Sequence, residues 1–234
     1  MALILNIETA TDVCSVALAL DGKVVAFREE QSGQSHARLL TTFISDCVKE
    51  AGFQLNDLHA ISVSKGPGSF TGLRIGVASA KGLCYALDKP LLSVNTLQSM
   101  ASNFLKQNKV ESGIWLCPMI DARRMEVYTA FFNENLGFER ETAAEVIEPG
   151  IFHEILDKHP VVFFGDGMTK TRHIFENHAN ATFNPAVLPS AFGMVQFSEE
   201  SYKNELFEKV AYFEPYYLKD FFTGRQPILP GQRP

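Results

Sequence analysis

The chain has 234 residues, 46% hydrophobic and 21% charged, with a formal net charge of −6. That apolar content fills a core and excludes wholesale disorder. An excess of carboxylates (27 against 21 lysines and arginines) without a basic cluster argues against a chain that grips nucleic acid unaided. Cys14, Cys47, Cys84 and Cys117 are dispersed, with no C-x-x-C and no paired histidines nearby, so reduced, buried thiols are expected rather than a zinc site or disulfides. The N-terminus lacks the basic region of a signal peptide, and no apolar run approaches the ~20 residues needed to cross a bilayer. A soluble, cytoplasmic protein is expected, with no membrane partner.

In chain order, residues 3–8 and 13–20 predict strands. Asp21-Gly22 follows as a hairpin turn, because both central residues of a type I′ turn take positive φ, and residues 24–27 give a third strand. Ser35 caps a predicted helix to about Ala51, closed by Gly52. Residues 61–63 form a short strand leading into Gly66-Pro67-Gly68-Ser69. A second helix is expected from about 71 to 87, stopped by Asp88-Lys89-Pro90. A strand at 91–94 and a helix at 96–107 follow.

The pattern then begins again. Strands are predicted at 115–120, 125–132 and 138–147, a helix at 151–158, a strand at 161–164, and helices at 168–177 and 191–210. Ile7-Glu8-Thr9 and Ile120-Asp121-Ala122 occupy equivalent places, each closing a first strand before a tight reversal. A hairpin meander followed by helical crossovers implies a mixed sheet with helices packed on it. The expected fold is α/β, with two tandem domains of a mixed five-stranded sheet each: 1–107, then 108–222 with its last helix packing back on the first domain. A tail at 223–234, rich in proline and glycine, is expected to be mobile.

Two copies of this order are the layout of the actin-like ATPase (ribonuclease H-like) and sugar-kinase superfamily. Three stretches narrow the resemblance: Ile7-Glu8-Thr9-Ala10-Thr11-Asp12, Gly66-Pro67-Gly68-Ser69-Phe70-Thr71-Gly72-Leu73-Arg74, and Asp121-Ala122-Arg123-Arg124-Met125-Glu126. Together they resemble the TsaB (YeaZ) family, densely up to about Phe132 and by element order and Glu214-Pro215-Tyr216-Tyr217 thereafter. The resemblance implies a non-catalytic subunit in synthesis of threonylcarbamoyladenosine in tRNA, at the adenosine 3′ of the anticodon. It implies a homologous catalytic partner of the TsaD type, a small P-loop ATPase of the TsaE type, and tRNA contacts supplied mainly by the partner.

The catalytic relative holds a metal with two histidines four apart, at positions that correspond here to Thr96 and Met100. Neither side chain suits that role, so no metal is expected. The histidines elsewhere are read as surface residues on polar turns. Thr9, Thr11 and Asp12 stand where actin-like ATPases hold phosphate, a degenerate nucleotide loop. Asp121-Ala122-Arg123-Arg124 replaces the second glycine-rich loop with bulky side chains, which argues against ATP turnover. No cofactor is assigned, and a nucleotide at the partner junction stays open. The family-motif loop Gly66, Pro67, Gly68, Ser69, Thr71, Gly72 and Arg74 reads either as an anion nest before a helix or as a rigid turn.

What remains is binding. A helix lying on a sheet needs an apolar stripe only ~100° wide, whereas the first helix spreads its apolar residues over about 180° and the second is apolar or small nearly all round. Gly72, Gly76 and Ala80 fall at i, i+4 and i+8, a groove for a close-packed helix. The expected interface therefore comprises Leu40, Phe43, Ile44, Cys47, Leu73, Gly76, Val77, Ala80 and Cys84. It would take the catalytic relative, or a second copy as a homodimer when the chain is alone. A charge at Val77 or Ala80 should then give monomers. The rival readings are a self-sufficient small-molecule kinase of the same superfamily and a metallopeptidase.

Overall fold

The structure is a computed structural model and describes residues 1–31, 36–185 and 187–218. The Ser35 cap and the 223–234 tail lie outside them. The elements are β1 (Leu3–Glu8), β2 (Val13–Leu20), β3 (Lys23–Gln31), α1 (His36–Glu50), β4 (Ala60–Gly66), α2 (Phe70–Leu87), β5 (Leu91–Asn95) and α3 (Thr96–Gln107). They continue as β6 (Trp115–Asp121), β7 (Glu126–Phe132), β8 (Phe138–Val146), α4 (His153–Leu156), β9 (Val161–Phe164), α5 (Asp166–Phe175), β10 (Ala181–Asn184) and α6 (Ala191–Lys203).

These form two five-stranded sheets of the same plan, β3-β2-β1-β4-β5 and β8-β7-β6-β9-β10. In each, the first three strands pair antiparallel and the last two add in parallel. Both therefore have the mixed five-stranded architecture expected of an actin-like repeat.

Strand alternation explains how the first sheet is covered. Leu3, Leu5 and Ile7 of β1 point to one face and pack with Leu40, Ile44, Cys47, Val77, Ala80 and Cys84 of α1 and α2. Asn6 points to the other, where the Ser198 hydroxyl of α6 donates to its Oδ1 at 2.5 Å and sits 2.8 Å from Ser62 Oγ. With both faces covered, every residue of β1 is buried. In the second sheet, Leu116, Ile120, Ala130 and Phe164 pack with Leu97, Met100 and Phe104 of α3. Cys117, Phe131 and Phe163 pack with Phe152, Leu156, Met168 and Phe175 from the α4–α5 side.

Packing divides the chain differently from a cut at 107/108. Helix α3, expected with the first domain, lies on the second sheet, and α6 lies on the first. The two helices cross where Gly193 meets the Ser99 carbonyl, at a distance that leaves no room for a Cβ. Other elements differ from the expectation as well. The helix expected at 151–158 is reduced to the single turn of α4, after Phe152 in a left-handed conformation. Helix α6 stops at Lys203 instead of 210, just before Glu205 takes φ +54°. Strand β10, which no periodicity indicated in its four residues, completes the second sheet.

Candidate functional site

Most of the expected interface proves to be core. Leu40, Ile44, Cys47, Leu73, Gly76, Val77, Ala80 and Cys84 are all buried by the chain's own first sheet and its loops. The small-residue groove is filled as well. A Cβ added at Gly72 or Gly76 would strike the carbonyl oxygen or Oγ1 of Thr9, and one at Gly68 would strike the Ala10 carbonyl. These glycines let the head of α2 sit directly on the β1–β2 turn. The Thr9 hydroxyl donates to the Gly72 carbonyl at 2.8 Å, and the Ser69 amide to the Ala10 carbonyl at 2.6 Å. The family-motif loop is thus built as the rigid turn: Ser69 caps α2 by accepting from the Gly72 amide.

The open face of α2 lies on its far side. Thr71, Arg74, Ala78, Gly82, Tyr85 and Ala86 are exposed, and Ile75, Ser79 and Leu83 are half-buried. Ala78, Gly82 and Ala86 repeat the i, i+4, i+8 spacing, with Tyr85 beside them 90% exposed. On α1, Leu39 and Phe43 are half-buried at the margin of the first core. Of the nine residues expected at the interface, Phe43 alone retains an open edge.

A strap that sequence reasoning missed borders this face. After α6, the Glu208 amide bonds the Leu91 carbonyl. Lys81 of α2 then donates to the carbonyls of Ala211 and Phe213, and the Tyr216 amide donates to Lys65. At the head of α2, the Arg74 guanidinium lies 4.0 Å from the Phe70 ring centroid, and Phe70 packs on Tyr217 at 5.0 Å. The tyrosines at 216–217 were its signal. An open cleft of about 840 Å³ lies beyond it, lined among others by Lys65, Asn95, Glu141, Glu200 and Tyr216.

Thr9 and Thr11 of the first loop are buried, and only Asp12 is exposed. The His36 Nε2 sits 2.8 Å from the Thr11 carbonyl, donating to it, so this histidine fastens α1 to the loop rather than standing free on a turn. His59, similarly, accepts the Leu3 amide at 3.1 Å. Thr96 and Met100 are wholly buried, and a methionine methyl packed against Gly165 offers no metal ligand. Among the described residues no cluster of three histidines, cysteines or carboxylates has metal-holding geometry. All four cysteines are free and buried, each thiol pushed up by burial, to about 11 for Cys14 and Cys47 and about 12 for Cys84 and Cys117. No helix among the described residues is long and apolar enough to cross a membrane.

Comparison with known proteins places this architecture. The chain is 32% identical to the tRNA threonylcarbamoyladenosine biosynthesis protein TsaB of Escherichia coli (strain K12), over 98% of this chain and 99% of that protein. The chain belongs to the TsaB family. A family model described as TsaD, tRNA N6-adenosine threonylcarbamoyltransferase, matches residues 28–154, which include α1, α2 and α3. Among solved structures, a Pseudomonas aeruginosa protein described as similar to peptidase YEAZ superposes with a TM-score of 0.82 at 25% identity, covering 94% of this chain and 100% of that one. YeaZ from Pseudomonas aeruginosa superposes at 0.77, also 25% identical, over 93% and 100%. The TsaB assignment and the two-sheet fold therefore agree at the level of sequence and of structure.

Proposed function

We propose that the chain is a non-catalytic subunit in tRNA threonylcarbamoyladenosine biosynthesis, which binds and activates a TsaD-type catalytic subunit. The observation that carries this reading is the outer face of α1 and α2. An apolar and small-residue surface remains after the chain has used the inner faces of both helices for its own core: Ala78, Gly82 and Ala86 are exposed, and Leu39, Phe43 and Ile75 are half-buried at its margin. A homologous chain presents an equivalent helix pair, so the two pairs meet as a four-helix junction; without the partner, a second copy takes its place. A TsaE-type P-loop ATPase completes the assembly, and the partner supplies most tRNA contacts because this chain is acidic.

The absence of chemistry in this reading rests on Thr96 and Met100 standing where a metal would need paired ligands, and on Arg123 and Arg124 standing where a phosphate loop would need glycines. The test is reconstitution with purified TsaD-type and TsaE-type subunits, ATP, tRNA and the threonylcarbamoyl donor. Modified adenosine forms only when this chain is present, and this chain alone produces none. Full activity without it, or transfer by it alone, contradicts the proposal.

A further inference from the structure

An edge strand presents a row of backbone amides and carbonyls with which a further strand can pair. β5 is the last strand of the first sheet and is laddered to β4 on one side. On its other side the chain itself begins such an addition. The Glu208 amide bonds the Leu91 carbonyl at 2.9 Å, an antiparallel bridge, and the Ser93 hydroxyl holds the Glu208 carboxylate at 2.6 Å. The strap then turns away to α2, where Lys81 takes the carbonyls of Ala211 and Phe213. Successive residues of a strand turn their backbone groups to opposite sides, so Ser93 faces outward as Leu91 does. Among the described residues no backbone group pairs with that edge beyond Leu91. The edge does not face open solvent: Ser93, Val94 and Asn95 line the cleft of about 840 Å³, together with side chains of α6, β8 and the strap.

We propose that this cleft is a docking groove for an extended segment of a partner polypeptide, rich in lysine or arginine, which adds a strand to the open edge of β5. Charge selects the occupant. Three elements each contribute one exposed carboxylate to the lining, Glu141 from β8, Glu200 from α6 and Glu214 from the strap, against the single cation of Lys65 among the described lining residues. None of the three is paired with a lysine or arginine among the described residues, and Glu200 takes only the neutral Gln196 side chain, at 3.2 Å. In strand addition the main chain supplies affinity, while alternate side chains read the two flanks of the groove. Here the carboxylates stand among aromatic rings, Phe138 and Phe197, so a lysine or arginine lays its apolar stem on a ring while its head meets an acid. An acidic segment meets like charge instead. No residue of α1 or α2 lines the cleft, so this second surface does not rest on the helix-pair reading.

The experiment is amide NMR of the full, isotopically labelled chain, titrated with synthetic peptides. The probe is acetyl-Lys-Val-Lys-Val-Lys-Val-amide. Its controls are the same peptide with glutamate for lysine, and the lysine peptide with every backbone nitrogen methylated, which keeps the charge and removes the donors. The lysine peptide should move the Ser93 amide resonance saturably, and neither control should. Glu141→Gln with Glu214→Gln, both at exposed positions, should leave the spectrum of the free chain folded and weaken the lysine peptide about three- to tenfold. Equal binding of the methylated peptide would show attraction by charge without strand pairing. Movement confined to amides of α2 would place the peptide on the helix face. A peptide of this chain's own residues 223–234, binding more tightly than the lysine probe and weakened by the same two changes, would make the chain its own occupant. Any of these three results, or no saturable binding of the lysine peptide, overturns the proposal.

Discussion

Glu8 links the protonation of one buried carboxyl to the stability of the whole first sheet. Its value is near 4.5 in an unfolded chain and about 7 in the fold, where burial disfavours the charge. Between those values the folded protein holds the extra proton, so the stabilisation is complete below about pH 4.5 and is lost as pH rises through 7. The step corresponds to an order of 3 kcal/mol. Urea denaturation should show the wild type losing stability between pH 5 and pH 8, and Glu8→Gln should remove most of that slope. Equal slopes in the two proteins would contradict the assignment. Asp121, held low, acts only below its ordinary value and leaves this window untouched. Gly76 gives a second test at this scale: a Cβ there strikes the Thr9 hydroxyl, so Gly76→Ala should cost roughly 1–3 kcal/mol in the same assay. Unchanged stability would mean that the turn and α2 are not rigidly seated on each other.

Among the elements, α2 decides between core and interface. Its two small-residue stripes, Gly72/Gly76/Ala80 and Ala78/Gly82/Ala86, have the same spacing and lie on different faces of one helix, about 120° apart. A helix that is apolar or small all round has a weak moment, so periodicity reports that two faces are covered without saying which one meets the sheet. Burial separates them, and the substitutions follow. Val77, 5% exposed and inside the first core, should unfold the chain when replaced by Asp. Ala78→Arg with Gly82→Arg should leave thermal unfolding nearly unchanged while abolishing self-association on a sizing column. Monomers with a collapsed melting temperature would refute the division of faces. The strands of the first meander were legible because apolar, β-branched runs and the Asp21-Gly22 turn mark them. Strand β10 was not, since Ala181-Thr182-Phe183-Asn184 is too short to show a period. The exchange of α3 and α6 between sheets was only half visible. The return of α6 to the first domain was expected, whereas chain order assigns α3 to the first repeat, and nothing in the apolar spacing of Leu97, Met100 and Phe104 names the sheet that they reach. The Glu8 and Asp121 turns could be read as equivalent positions, yet the amides that their carboxylates accept, from Ala10 and Arg123, depend on side-chain placement.

For the whole molecule, the account joins two sheets of one plan and one helix pair whose outer face stays open. In the proposed function such a chain contributes shape rather than a reacting group, and it would favour an active partner only by binding that form more tightly. The open face is therefore the claim on which the function depends. The most direct measurement is the affinity of the chain for a purified TsaD-type subunit by analytical ultracentrifugation, wild type beside the folded Ala78→Arg, Gly82→Arg variant. A buried charge without a partner at a close helix contact costs several kcal/mol, so the dissociation constant should rise at least a hundredfold, with loss of modified adenosine in the reconstituted reaction. Equal affinities for the two proteins would place the partner elsewhere on the chain and contradict the account.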